Sequence, residues 1–167
     1  MVVRLGGAIC VAATMFACSF SSASSIGVQK QVTAQPVASG PSILGVASVY
    51  NPYRNDHRSG GPETASGELY DPTTWTAAIQ IDLRERFGGV RFGKDYRPAY
   101  ALVAYADKQA IIKINDVGPL EPGRVIDLSE QAMRYFDPTL ELGLIPRIKV
   151  TPLLGDDWPP GPIASDT

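Results

Sequence analysis

Ala110-Ile111-Ile112-Lys113-Ile114-Asn115-Asp116-Val117-Gly118-Pro119 is the stretch from which the rest of the chain can be read. Its first half is β-branched, with Ile112 and Ile114 on one face and Lys113 on the other, the period of a half-buried strand. It breaks at Asn-Asp followed by Gly-Pro, which predicts a strand that ends by delivering a carboxylate into a tight turn. Shortly afterwards Arg124-Val125-Ile126-Asp127-Leu128-Ser129 repeats the form, an apolar run closed by Asp and leading into a helix. Asn and Asp also cap turns by bonding their own backbone, and on that local reading Asn115 and Asp116 are turn residues only.

Working outward, residues 43–50 read as a strand in which Gly45 is a bulge candidate. Residues 99–105 and 110–115 flank Ala106-Asp107-Lys108-Gln109 as a hairpin. Asp127 and Glu130 have capping-box spacing ahead of Ala132, Met133 and Phe136, which predicts a short helix stopped at Asp137-Pro138. Ile148, Val150 and Leu153 form a closing strand, with Arg147, Lys149 and Thr151 facing out. Trp75-Thr76-Ala77-Ala78-Ile79 is a short apolar segment of either type, and residues 82–97 read as an exposed, Gly-interrupted loop with one helical turn near Leu83. About six short strands around one short helix predict a mainly β fold, a small closed barrel.

The chain has 167 residues, enough for one domain with tails. Its formal net charge of -2 and the lack of a Lys/Arg stripe exclude a nucleic-acid partner. Residues 1–23 read as an export signal, with Arg4 ahead of an uncharged run too short to span a bilayer. Two processing routes fit: cleavage before Cys18, which follows Met15-Phe16-Ala17 and would then be lipidated as the only membrane attachment, or cleavage at Ser21-Ser22-Ala23. Residues 24–41 are then a flexible tether, 42–155 the folded domain, and 156–167 a Pro-rich tail without regular structure. Both cysteines, Cys10 and Cys18, fall in the leader, and the one histidine, His57, sits among Arg54, Asp56 and Arg58 in a polar loop. These leave no donor set for a metal and call for no cofactor.

Five short motifs occur in order: Gly45-Val46-Ala47-Ser48, Thr64-Ala65-Ser66-Gly67-Glu68 with Asp71, Thr76-Ala77-Ala78, residues 112–119, and Gly123-Arg124-Val125-Ile126-Asp127-Leu128-Ser129. Together they resemble the rare lipoprotein A family of bacterial envelope proteins over about residues 43–154. The resemblance implies a six-stranded double-psi β-barrel, related in fold to expansins, and peptidoglycan lytic transglycosylase activity on glycan strands in the periplasm. It carries the family's catalytic acid onto Asp116 and a groove carboxylate onto Glu68. Tyr70, Asp71, Trp75 and Asn115 become the expected substrate contacts. In active members the segment matching Thr76-Ala77-Ala78 runs on into a histidine, where this chain has Ile79. The alternative function is a non-catalytic, expansin-like polysaccharide-binding module.

The implied reaction needs one group to protonate a glycosidic oxygen and then take a proton from the muramoyl 6-hydroxyl. A carboxyl group does both if burial or a neighbouring carboxylate raises its pKa. Glu68 is the expected neighbour of Asp116, the two lining one groove within about 10 Å, with Tyr70 or Trp75 as an apolar wall.

Overall fold

The computed structural model describes residues 35–54, 61–89, 93–141 and 143–163. The leader with Cys10 and Cys18, most of the tether, and His57 lie outside the described residues. Among the described residues there are seven strands: β1 (Ile43–Val49), β2 (Thr76–Gln80), β3 (Ala99–Tyr105), β4 (Lys108–Gly118), β5 (Arg124–Leu128), β6 (Leu144–Pro152) and β7 (Gly161–Ile163). The α-helix α1 (Glu130–Phe136) follows β5 directly.

Six of the strands close on themselves in the order β2-β5-β1-β6-β3-β4, with β2 pairing back onto β4. Two neighbouring pairs, β1 with β5 and β2 with β4, run parallel, and the other pairs of the ring are antiparallel. Parallel neighbours cannot be joined by a tight hairpin, so the chain must cross over between them. That pattern is a double-psi β-barrel, as the resemblance implied. The alternation read in the sequence fills it: Ile112 and Ile114 point inward with Ile79, Val103, Ile126, Leu128, Ile148 and Val150, all essentially inaccessible. Met133 and Phe136 of α1 join the same cluster. A two-residue turn joins β3 to β4, with Tyr105 opposite Lys108 and Ala106 in the left-handed region at φ 53.

Bulges shape both parallel junctions. Between β1 and β5 the register slips at Val125, since Val46 pairs with Arg124 but Ala47 with Ile126. Gly45 makes room there, because a Cβ on it would lie 2.3 Å from Val125 Cγ1. Between β2 and β4 it slips at Asn115: Ala77 pairs with Ile114, Ala78 with Asp116. A bulged residue shifts everything after it to the opposite face.

Four expectations need correction. β4 does not end at Asn115-Asp116; it absorbs the break as a bulge and continues to Gly118, because β2 supplies backbone partners as far as Gln80. Asp127 is not the helix cap: it lies within β5, and Ser129 caps α1, its hydroxyl accepting the Ala132 N–H at 3.3 Å. Residues Ile81–Phe87 form a 3-10 helix where the sequence predicts one helical turn near Leu83, but the segment is not simply exposed, because Phe87 is buried against the core. Finally, the tails are not wholly without structure. Gly161–Ile163 adds to β4 at Gln109–Ile111, where β2 no longer covers that edge, and an edge strand tolerates Pro162. Trp158 packs on a small outer cluster of Tyr100, Ile111 and Leu153, and Ala38 forms a single bridge to Leu153.

Candidate active site

The turn at residues 64–68 closes on itself through the Thr64 N–H and the Glu68 carbonyl at 2.8 Å, with Gly67 supplying the left-handed step at φ 87. It is fastened to the bulge of β4. The Ser66 N–H donates to the Asn115 carbonyl at 3.1 Å, and the Ala65 N–H to Asp116 Oδ1 at 2.8 Å. Asp116 Oδ1 also accepts the N–H of Val117 at 2.8 Å. Both bonds fall on one oxygen, and Oδ2 has no hydrogen bond among the described residues. The carboxyl is therefore pinned by one oxygen and free at the other.

Burial pushes the Asp116 pKa above the ordinary carboxylate value, and the two amide bonds, which favour the anion, do not fully offset it. The cause is desolvation, not a neighbouring carboxylate. Glu68 is instead a held anion. Desolvation raises it, but the hydrogen bonds from Lys113 and Asn115 and the Lys113 charge outweigh that and bring it below its ordinary value. Lys113 Nζ lies 2.6 Å from Oε1, and Asn115 Nδ2 lies 3.1 Å from Oε2. Glu68 thus reaches the bulge that aims Asp116, but it is not among the residues lining the hollow in front of Asp116.

That hollow is lined by Asp116 and Asn115, by Thr64 and Ala78, and by Tyr50, Tyr70 and Asp127. Its floor is a cross-strand row. Ala78 pairs with Asp116 on β4 and with Asp127 on β5, and Asp127 pairs in turn with Ser48 on β1, whose hydroxyl donates to Asp127 Oδ1. Paired residues share a face, so two carboxylates flank one methyl group. Two strand spacings put their Cα atoms about 9 to 10 Å apart. Sequence reading assigned Asp127 to the helix; the repeated form of two apolar runs each closed by Asp was the signal for its place in the site.

Tyr70 is buried beside them, its hydroxyl donating to the Tyr50 carbonyl at 2.5 Å and accepting the Glu130 N–H at 3.2 Å. Burial pushes its pKa up to about 12, so it serves as wall and not as base. Trp75 stacks edge-on against Tyr135 at 5.5 Å and packs on the core cluster, outside the hollow. Asp71 is exposed and closes its own turn, Oδ1 accepting the Thr73 N–H at 2.8 Å and the Thr73 hydroxyl at 2.7 Å; those bonds lower its pKa. Ile79 is 0% exposed in the core and does not face the hollow. Among the described residues no group of three His, Cys, Asp or Glu side chains could hold a metal.

A family model described as lytic transglycolase matches residues 43–149, well over half of the chain. This chain belongs to the lytic transglycolase family. The chain is 34% identical over 122 residues to the endolytic peptidoglycan transglycosylase RlpA of Pasteurella multocida (strain Pm70), covering 71% of this chain and 33% of that protein. It is 35% identical over 94 residues to the protein of the same name from Yersinia pestis, covering 54% and 21%. It is 36% identical over 98 residues to a probable endolytic peptidoglycan transglycosylase RlpA of Nostoc sp., covering 57% and 22%. The chain thus spans a third or less of the length of these relatives. Among solved structures it is similar to a Streptomyces papain inhibitor, with 18% identity, a TM-score of 0.49, and coverage of 67% of this chain and 94% of that one.

Proposed function

We propose that this protein is a peptidoglycan lytic transglycosylase of the bacterial cell envelope, with Asp116 as its acid and base. The observation that carries the proposal is the state of Asp116: buried enough to keep a proton above the usual carboxylate range, fixed through Oδ1 by two amides, and lining a hollow. The relatives named as endolytic peptidoglycan transglycosylases support the substrate class. Residues 1–23 export the chain, and a lipid on Cys18 holds it at the membrane.

The proton on Oδ2 passes to the glycosidic oxygen between a muramoyl and a glucosaminyl unit as the bond from that oxygen to the muramoyl anomeric carbon breaks. The muramoyl 6-hydroxyl attacks the same carbon and returns its proton to Oδ2, closing a 1,6-anhydro ring. No water enters, and Asp116 ends as it began. Asp127, across β2 from Asp116 and with Ser48 on its Oδ1, is the second carboxylate that faces the developing positive charge. Glu68 is a positioning residue: with Lys113 and Asn115 it fixes the bulge. The reading as a non-catalytic glycan-binding module leans on Ile79, whose full burial keeps it away from the hollow.

Incubation of the protein with purified sacculi, followed by mass spectrometry, tests the proposal. Anhydro-muramoyl ends that disappear with Asp116→Asn are expected. Reducing ends without anhydro products mean a hydrolase, and intact glycan bound to the protein means a binding module.

A further inference from the structure

Tyr53 is the one aromatic among the large exposed hydrophobic side chains of the described residues, with 59% of its surface open. It is nonetheless held at both ends. Its backbone N–H donates to Asn51 Oδ1 at 2.9 Å, and its phenol donates to the Tyr70 carbonyl at 3.2 Å. Its ring centroid lies 6.0 Å from that of Tyr70, tilted by 60°. Asn51 is itself anchored, since its Nδ2 donates to Glu130 Oε1 at 2.7 Å, and Arg54 meets the same carboxylate at 3.2 Å. The segment that carries Tyr53 is thus tied to the first turn of α1. Leu69, 69% exposed, stands beside Tyr70 in the chain.

An exposed apolar side chain normally keeps its freedom, so fixing one without burying it brings no hydrophobic gain within this chain. The gain arises when something covers it. A ring already held in place loses little entropy on contact, which is why fixed aromatics make effective recognition surfaces. Tyr70 joins this ring to the hollow at Asp116, so whatever lies on Tyr53 is continuous with what occupies the hollow. The flat, uncharged C–H face of a pyranose matches an exposed tyrosine ring that is held in place.

We infer that Tyr53 is a stacking platform for one pyranose of the glycan strand, next to the unit that reacts at Asp116. This rests on the glycan reading of the site given above. The platform contributes to binding and not to the bond-breaking step, because it holds a sugar that does not change.

Kinetics on denuded glycan strands, with binding of the same strands to protein carrying Asp116→Asn, separate the two ideas. Tyr53→Ala should raise KM about threefold to tenfold and weaken binding by the same factor, with kcat held within about twofold. Tyr53→Trp should restore both, since it returns a ring face. If the protein cleaves glycan and Tyr53→Ala changes neither KM nor binding, the platform is wrong while the enzyme stands. If the protein cleaves nothing, weaker binding in the Asp116→Asn, Tyr53→Ala double variant still supports the platform, and unchanged binding overturns it. A fall in kcat at constant KM also overturns it, because Tyr53 would then act on the geometry of the hollow.

Discussion

Asp116 and Asp127 occupy the same cross-strand row of the barrel, separated by the single methyl group of Ala78. The row exists because the bulge at Asn115 turns Asp116 to the face that Ala78 shares with Asp127. Without that extra residue the alternation of β4 would carry Asp116 to the side of Ile114, in the core.

Ala78 is therefore a steric gauge of the site. Ala78→Val suits a strand, yet places two methyl groups between the carboxylates. Overpacking costs about 1 to 3 kcal/mol. Release of anhydro-muramoyl products should fall by roughly tenfold or more on the scale of mispositioned catalytic groups, while the protein still melts cooperatively. Full activity in Ala78→Val would mean that the space between the two carboxylates is not where the glycan reacts.

For Asp116→Asn, activity should fall by at least about 10²-fold, the lower end of what general acid and base catalysis contributes. Stability should move the other way. Burial raises the folded pKa of Asp116 above its unfolded value, so the native state holds the proton more tightly. That preference favours folding below the unfolded pKa and is lost as pH rises through the folded one. Asn accepts the same two amide bonds without the charge. Melting curves should place Asp116→Asn at or above the parent at pH 7, with the advantage shrinking toward pH 3. The parent's kcat/KM should fall on an alkaline limb set above the ordinary carboxylate range.

Glu68→Gln should separate a held anion from a catalytic acid. The pair with Lys113 is partly solvated, so screening limits the loss of stability to about 1 kcal/mol or less. The folded pKa of Glu68 is depressed, so this contribution is present above the unfolded pKa and is lost as pH falls through the folded one. Denaturant titrations at pH 7 and pH 3 should show the difference between parent and variant shrinking at the lower value. Cleavage should drop about tenfold or less, well short of the Asp116→Asn loss. An equal loss would put Glu68 in the chemistry.

Gly45→Ala probes the other bulge. Gly45 has no left-handed dihedral, so only space is at issue, and the new Cβ would collide with Val125. A destabilisation of about 1 to 3 kcal/mol is expected. Adding Val125→Ala should recover part of it in a double-mutant cycle. Simple additivity would show that the close approach is not what requires glycine there.

Local chemistry determines much of this protein without reference to any tertiary contact. The alternation in Ile112-Lys113-Ile114 specifies which side of β4 is core, and the apolar runs of β1, β3, β5 and β6 specify theirs. The Asn-Asp break marked the place where regular pairing fails. What the chain could not say locally was how that break resolves, because a turn and a bulge draw on the same residues, and the choice lies with β2, which extends pairing to Gly118. The same is true of Asp127, where capping-box spacing is equally consistent with a strand position. Only its pairing with Ala78 and Ser48 puts it in the site and leaves Ser129 to cap α1. The high pKa of Asp116 is likewise a tertiary property. It comes from burial beneath the turn at residues 64–68, and desolvation depends on everything that excludes water, near or far in the chain.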